Sequence, residues 1–354
     1  MNFMQIRVLK YLIPFIFFIG ALRSFQSTGL IVWIPMLIAW LLIPLLELLI
    51  KPDPANMNAA EEEIAKKNST YDFILYLVVV FQYVALYFFL QSMKTDSLAW
   101  YDTTGRIFVM GLLCGTFGIN VAHELGHRTN KFEQTLAKAL LLTSLYMHFT
   151  TEHNKGHHKR VATPEDPSSA RYGEPVYIFY LRTIIFSYIS AWHIANEEIR
   201  KKGKPVFSIH NEMIQFTLIQ LAFLAILFFV FGWLVTLYFF IAALIGILLL
   251  ETVNYIEHYG LQRKATSDGK YERTLPVHSW NSDHVIGRLM LFELSRHSDH
   301  HYLASRKYQI LRHHDDAPQM PTGYPGMIIL SLFPPIWFHV MNRRIKKLTE
   351  ITSS

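Results

Sequence analysis

The chain has 354 residues, 51% of them hydrophobic and 14% aromatic, with 17 histidines, one cysteine and a formal charge of +6. This apolar weight excludes a disordered chain, and the lone Cys114 excludes an intrachain disulfide or a fused CxxC metal module and suits a reducing compartment. The basic excess reads as the margin of a membrane protein and not as a nucleic-acid-binding surface.

Taken in chain order, the apolar runs predict an all-α, polytopic membrane protein with six transmembrane helices, at 7–24, 29–50, 71–93, 104–123, 213–231 and 233–254. The run 71–93 carries only Asp72 as a charge and would reach about 34 Å as a helix, enough for a hydrocarbon layer of about 30 Å. The first run follows Arg7 and Lys10 and reads as a span, because Arg23 stands where a signal peptide would place a small-residue cleavage site. The last two runs are separated by a turn near Phe231-Gly232-Trp233. Lys and Arg crowd 128–204 and 263–347 and are sparse in the alternate connections. The positive-inside rule therefore puts 51–70, 124–212, 255–354 and both termini in the cytoplasm, within one domain spanning 1–354.

Nine histidines cluster on this cytoplasmic side: His123 and His127 in HELGH, His153, His157 and His158 in EHNKGHH, His258 in NYIEHYG, and His297, His300 and His301 in RHSDHH. Spacings of three and four put pairs on one helical face, where two imidazoles can meet one metal. Nine such donors exceed the needs of a single zinc ion and supply two metals. HELGH also matches the HExxH zinc protease motif, with Glu124 as general base, but a protease needs only one further ligand and leaves the other clusters unexplained. A carboxylate di-iron bundle needs two ExxH motifs, and only Glu124–His127 has that spacing. A transporter would want its ligands inside the spans. Imidazole alone does not choose among iron, copper, nickel and zinc.

Carboxylates adjoin the clusters: Glu124, Glu152, Glu257 and Asp299 stand beside or one residue from a clustered histidine, and Asp166 follows in ATPEDP. Each is expected to take the second N–H of a ligating imidazole and so fix its tautomer. Among the remaining histidines, His278 and His284 in VHSWNSDH are the ones expected nearest the site.

HELGHR, EHNKGHHKRVATPEDP, NYIEHYG, HSWNSDH, RHSDHHY and APQMPTGYP resemble, in order, the motifs of the integral-membrane alkane hydroxylases (alkane 1-monooxygenases), and the resemblance covers nearly the whole chain. It implies a non-haem site of two Fe ions on the nine histidines, in the inner membrane of a bacterium. The implied activity is hydroxylation of the terminal methyl of an n-alkane with O2. Electrons would come from rubredoxin, itself reduced upstream by rubredoxin reductase. The resemblance departs in small ways: Arg128 stands where Lys is frequent, and no rubredoxin is appended. It also implies a bulky residue limiting chain length in the second span, for which Trp40 in LIAWLLIPLLE is the candidate at the far end of a substrate tunnel. Xylene-type methyl hydroxylases and fatty-acid desaturases share the histidine boxes and are the nearest alternatives.

Overall fold

The computed structural model describes residues 7–95, 97–267 and 269–353; the chain ends assigned above to the cytoplasm, 1–6 and 354, lie outside these. Among the described residues the regular structure is helical, and β pairing is confined to the isolated bridges Ala265–Tyr271 and Asn281–Gln319. Seven helices among the described residues are long and apolar enough to cross a membrane. Six correspond to the predicted runs: Arg7–Phe25, Gly29–Leu49, Thr70–Ser92, Trp100–Gly126, Glu212–Phe231 and Trp233–His258. The turn between the last two rests on Gly232, whose φ of +85° suits a residue without a Cβ.

The seventh, Val176–Lys201, falls in the region predicted to be cytoplasmic. Its mean hydropathy of 1.2 is the lowest of the set, and Arg182 interrupts its apolar stretch. Arg182 is neutralised locally: Nε and Nη2 donate to the two carboxylate oxygens of Glu174 at 2.7 and 2.6 Å. Tyr177, Ile178, Leu181, Ile185, Phe186 and Ile189 stay exposed along one side, the spacing of an apolar helical stripe.

The helices are not uniformly α. Wider π turns occupy Ile38–Leu42, Cys114–Ile119 and His153–His157, and such turns re-aim the side chains around them. Trp40 lies in the first of these and is half-buried.

Contacts divide the chain into two discontinuous units: residues 1–38, 69–156 and 188–250 in one, and 39–68, 157–187 and 251–354 in the other. In the first unit, two helices approach through small residues. A Cβ on Gly115 would lie 2.7 Å from Leu249 Cδ2, and one on Gly246 would lie 2.6 Å from Cys114 Cβ, so both positions exclude a side chain, as in close-packed membrane helices. Arg106 donates to the carbonyls of Ser92 and Ser27, each at 2.8 Å, and ties two span ends together. In the second unit, Glu47 Oε1 accepts from the Gly287 amide at 2.7 Å. Arg296 donates to the carbonyls of Asp53, Ala55 and Leu311, anchoring the segment just before the last histidine cluster.

Candidate metal centre

Within the first unit, the helix Trp100–Gly126 carries His123 near its end, with His127 one turn on. Their ring centroids are 4.9 Å apart, and His153 stands 4.2 Å from His123 and 5.2 Å from His127. Nitrogens of all three lie within 4.8 Å of one another. Phe149 stacks on His153 at 4.7 Å and covers it with apolar surface. Glu124 is ion-paired with Arg128 at 2.6 Å, and the same guanidinium lies 3.4 Å from Asp72. Glu152 is buried.

Within the second unit, three pairs of imidazoles point their Nε2 atoms at each other: His157 and His301 at 3.3 Å, His258 and His297 at 3.3 Å, and His158 and His300 at 3.2 Å. Two nitrogens about 2.1 Å from one ion at tetrahedral to right angles stand about 3.0–3.4 Å apart. These pairs therefore have the spacing of neighbouring ligands on a metal. Nitrogens of His157, His258 and His301 also lie within 4.8 Å of one another, all buried. Burial foremost, with the neighbouring His157 ring, pushes His158 down to about 3, and burial with the surrounding histidines holds His301 well below the usual imidazole range. Both rings are thus neutral near pH 7, the state in which an imidazole offers a lone pair. The donor set fits a metal of borderline softness such as iron.

The reading of His153 and His157 as a pair sharing one helical face needs correction. The π turn His153–His157 replaces the α-helical turn it assumed, and such a turn aligns residue i with i+5 instead of i+4. His153 accordingly faces His123 and His127, whereas His157 faces His258 and His301.

The carboxylates occupy different positions. Asp166 Oδ2 lies 2.8 Å from His157 Nδ1, the ring nitrogen opposite the one facing His301, and accepts from the Ser169 hydroxyl at 2.6 Å. Burial opposes ionisation of Asp166, but the His157 ring and Ser169 outweigh it and hold the carboxyl at about 2. Asp299 turns to His314 Nε2 at 2.7 Å, the Arg312 amide at 2.9 Å and Arg306 Nε at 3.3 Å, so it ties its helix to the 306–314 loop. Glu257 accepts from the Tyr324 hydroxyl at 2.7 Å and lies 3.2 Å from His297 Nε2. Tyr324 was not among the sequence candidates; its only signal is its place in PTGYP. His278 faces Glu272 at 3.2 Å, and His284 Nδ1 lies 3.1 Å from the Ser282 hydroxyl.

Comparison with known proteins agrees with this chemistry. The fatty acid desaturase family pattern matches residues 103–331. Alkane 1-monooxygenase 1 of Pseudomonas aeruginosa is 42% identical over 305 residues, covering 86% of this chain and 80% of its own length. Alkane 1-monooxygenase 2 of Alcanivorax borkumensis is 35% identical over 340 residues, covering 96% and 88%. The xylene/toluene monooxygenase hydroxylase component of Pseudomonas putida is more distant, 28% identical over 237 residues, covering 67% and 63%. With its apolar helices, its clustered buried imidazoles and relatives this similar along most of its length, the chain is an integral membrane protein that belongs to the alkane 1-monooxygenase family.

Proposed function

We propose that the chain hydroxylates the terminal methyl of n-alkanes with O2 at a centre of two irons held by His123, His127, His153, His157, His158, His258, His297, His300 and His301. The nine imidazoles carry the reading, because they are buried or half-buried and their nitrogens are spaced as metal ligands within each unit. Each turnover converts alkane, O2, two electrons and two protons to alcohol and water. The bound irons supply the oxidising power that an unreactive C–H bond demands. The protein's own part is to fix the imidazoles, exclude water with apolar residues such as Phe149, and admit a hydrocarbon from the bilayer end-on, so that its terminus meets the site first.

Topology supports a cytoplasmic site. Nitrogens of His157 and His258 lie within 4.8 Å of each other, and both rings must therefore sit at one membrane face. Glu212–Phe231 and Trp233–His258 between them make two crossings. A third crossing by Val176–Lys201 would put the two histidines on opposite faces. The proposed arrangement therefore has six crossings, with Val176–Lys201 lying along the interface on its apolar stripe. Both termini and the basic loops then face the cytoplasm, in the inner membrane of a bacterium. The electron carrier is rubredoxin, reduced by its reductase.

Anaerobically purified protein should contain two irons and convert octane to 1-octanol with reduced rubredoxin. One zinc per chain and no iron would overturn the reading, and faster turnover of xylene than of octane would favour the aromatic-methyl alternative that the xylene/toluene relative represents. Trp40 is the proposed stop of the substrate tunnel. Trp40→Ser removes an indole that buries on the order of 200 Å² and makes room for several methylenes, each worth about 0.8 kcal/mol when buried. The chain-length optimum should move upward by several carbons in product profiles, and an unmoved profile in folded, iron-loaded protein would place the stop elsewhere.

A further inference from the structure

Glu257 lies on the wrong side of its histidine for a carboxylate that only orients it. An orienting carboxylate takes the ring nitrogen opposite the metal, which is where Asp166 stands on His157: at Nδ1, while Nε2 faces His301. Glu257 Oε2 instead lies 3.2 Å from His297 Nε2, the atom that also stands 3.3 Å from His258 Nε2. One nitrogen cannot give its proton to a carboxylate and its lone pair to a metal at the same time. We propose that Glu257 is itself a metal ligand, a carboxylate oxygen added to the histidine set beside His258 and His297, with Tyr324 as the positioning residue that holds it there.

Three observations carry this inference, which rests on the di-iron reading above. The donor atoms of Glu257, His258 and His297 lie within 4.8 Å of one another and all three residues are buried. An oxygen and a nitrogen each about 2.1 Å from one ion stand about 3.0–3.4 Å apart, which brackets the Glu257–His297 separation. The second carboxylate oxygen, Oε1, accepts from the Tyr324 hydroxyl at 2.7 Å, which leaves Oε2 directed at the nitrogens. The chemistry also favours an anion. An imidazole that ligates through its lone pair adds no charge, so two dications held by histidines alone would leave four positive charges in a buried site, and a carboxylate in contact with the ions reduces that burden where charge is poorly solvated. Sequence adjacency hides this role, since Glu257 and His258 are neighbours on one helix and read as ligand plus outer partner.

The test compares wild type, Glu257→Gln and Tyr324→Phe as full-length protein in nanodiscs, loaded anaerobically with iron-57 and read by Mössbauer spectroscopy and by iron release to a chelator. Gln keeps the size and still accepts from Tyr324, so a merely structural role survives the change. The expected result is two irons in wild type, one of two Mössbauer signals altered in Glu257→Gln, and iron release at that position faster by at least about 10-fold. Tyr324→Phe should retain both irons and perturb the same signal. Both signals unaltered in Glu257→Gln, while His297→Ala alters one, would overturn the proposal; should Glu257→Gln fail to fold, unaltered signals in Tyr324→Phe would do so. Wild type lacking two irons would instead refute the di-iron reading on which it stands.

Discussion

Replacing any of the nine clustered histidines by alanine is expected to abolish alkane hydroxylation, with turnover reduced by more than about 100-fold, since mutating even the outer partners of metal ligands typically costs 10- to 100-fold. The loss should follow the metal: in His157→Ala or His300→Ala the partner nitrogens, 3.3 Å away on His301 and 3.2 Å away on His158, remain aimed at a position that has lost a donor. Exposed His193 and His210 serve as controls, and their alanine variants should keep both iron and turnover. Iron content measured beside 1-octanol formation decides the matter, because a variant with full iron and no product would point to a role in chemistry and not in binding. Equal losses from the clustered and the control histidines would mean that the clusters have no special standing.

The histidine boxes were legible because their spacing is a helical signal, and the spans because hydrocarbon thickness imposes a length that few soluble helices need. The helix Val176–Lys201 was not legible as an apolar element. Arg182 counts as a charge in the sequence, whereas Glu174, eight residues earlier, takes its guanidinium through two hydrogen bonds. The widened turn at His153–His157 was hidden for a related reason: spacing arguments assume α geometry, and no residue type marks a π turn. The side of a ring that a neighbouring carboxylate occupies is likewise set by tertiary packing. Asp166 and Glu257 looked alike beside their motifs, yet one meets Nδ1 of His157 and the other Nε2 of His297. Asp299, adjacent to His300, turns away to His314 and the 306–314 loop.

Asp166→Asn should lower iron retention and turnover together by about 10- to 100-fold, the range typical of partners that orient a metal-bound histidine. The carboxylate accepts from His157 Nδ1 at 2.8 Å and is itself held by the Ser169 hydroxyl at 2.6 Å and the Ser168 amide at 3.2 Å. This arrangement keeps the proton on Nδ1 and the lone pair on Nε2, facing His301. An asparagine fits the same volume but is neutral, and its amide group can turn either its oxygen or its N–H to the ring. In the second orientation the ring proton is driven to Nε2, where it blocks the metal. Asp299→Asn is the matched control: it removes the same charge one residue from His300, but its contacts are His314, Arg306 and the Arg312 amide, so iron release should change less than in Asp166→Asn. Chelator-release rates measured on the two variants side by side test the distinction, and a slower release from Asp166→Asn than from Asp299→Asn would remove Asp166 from the role of orienting His157.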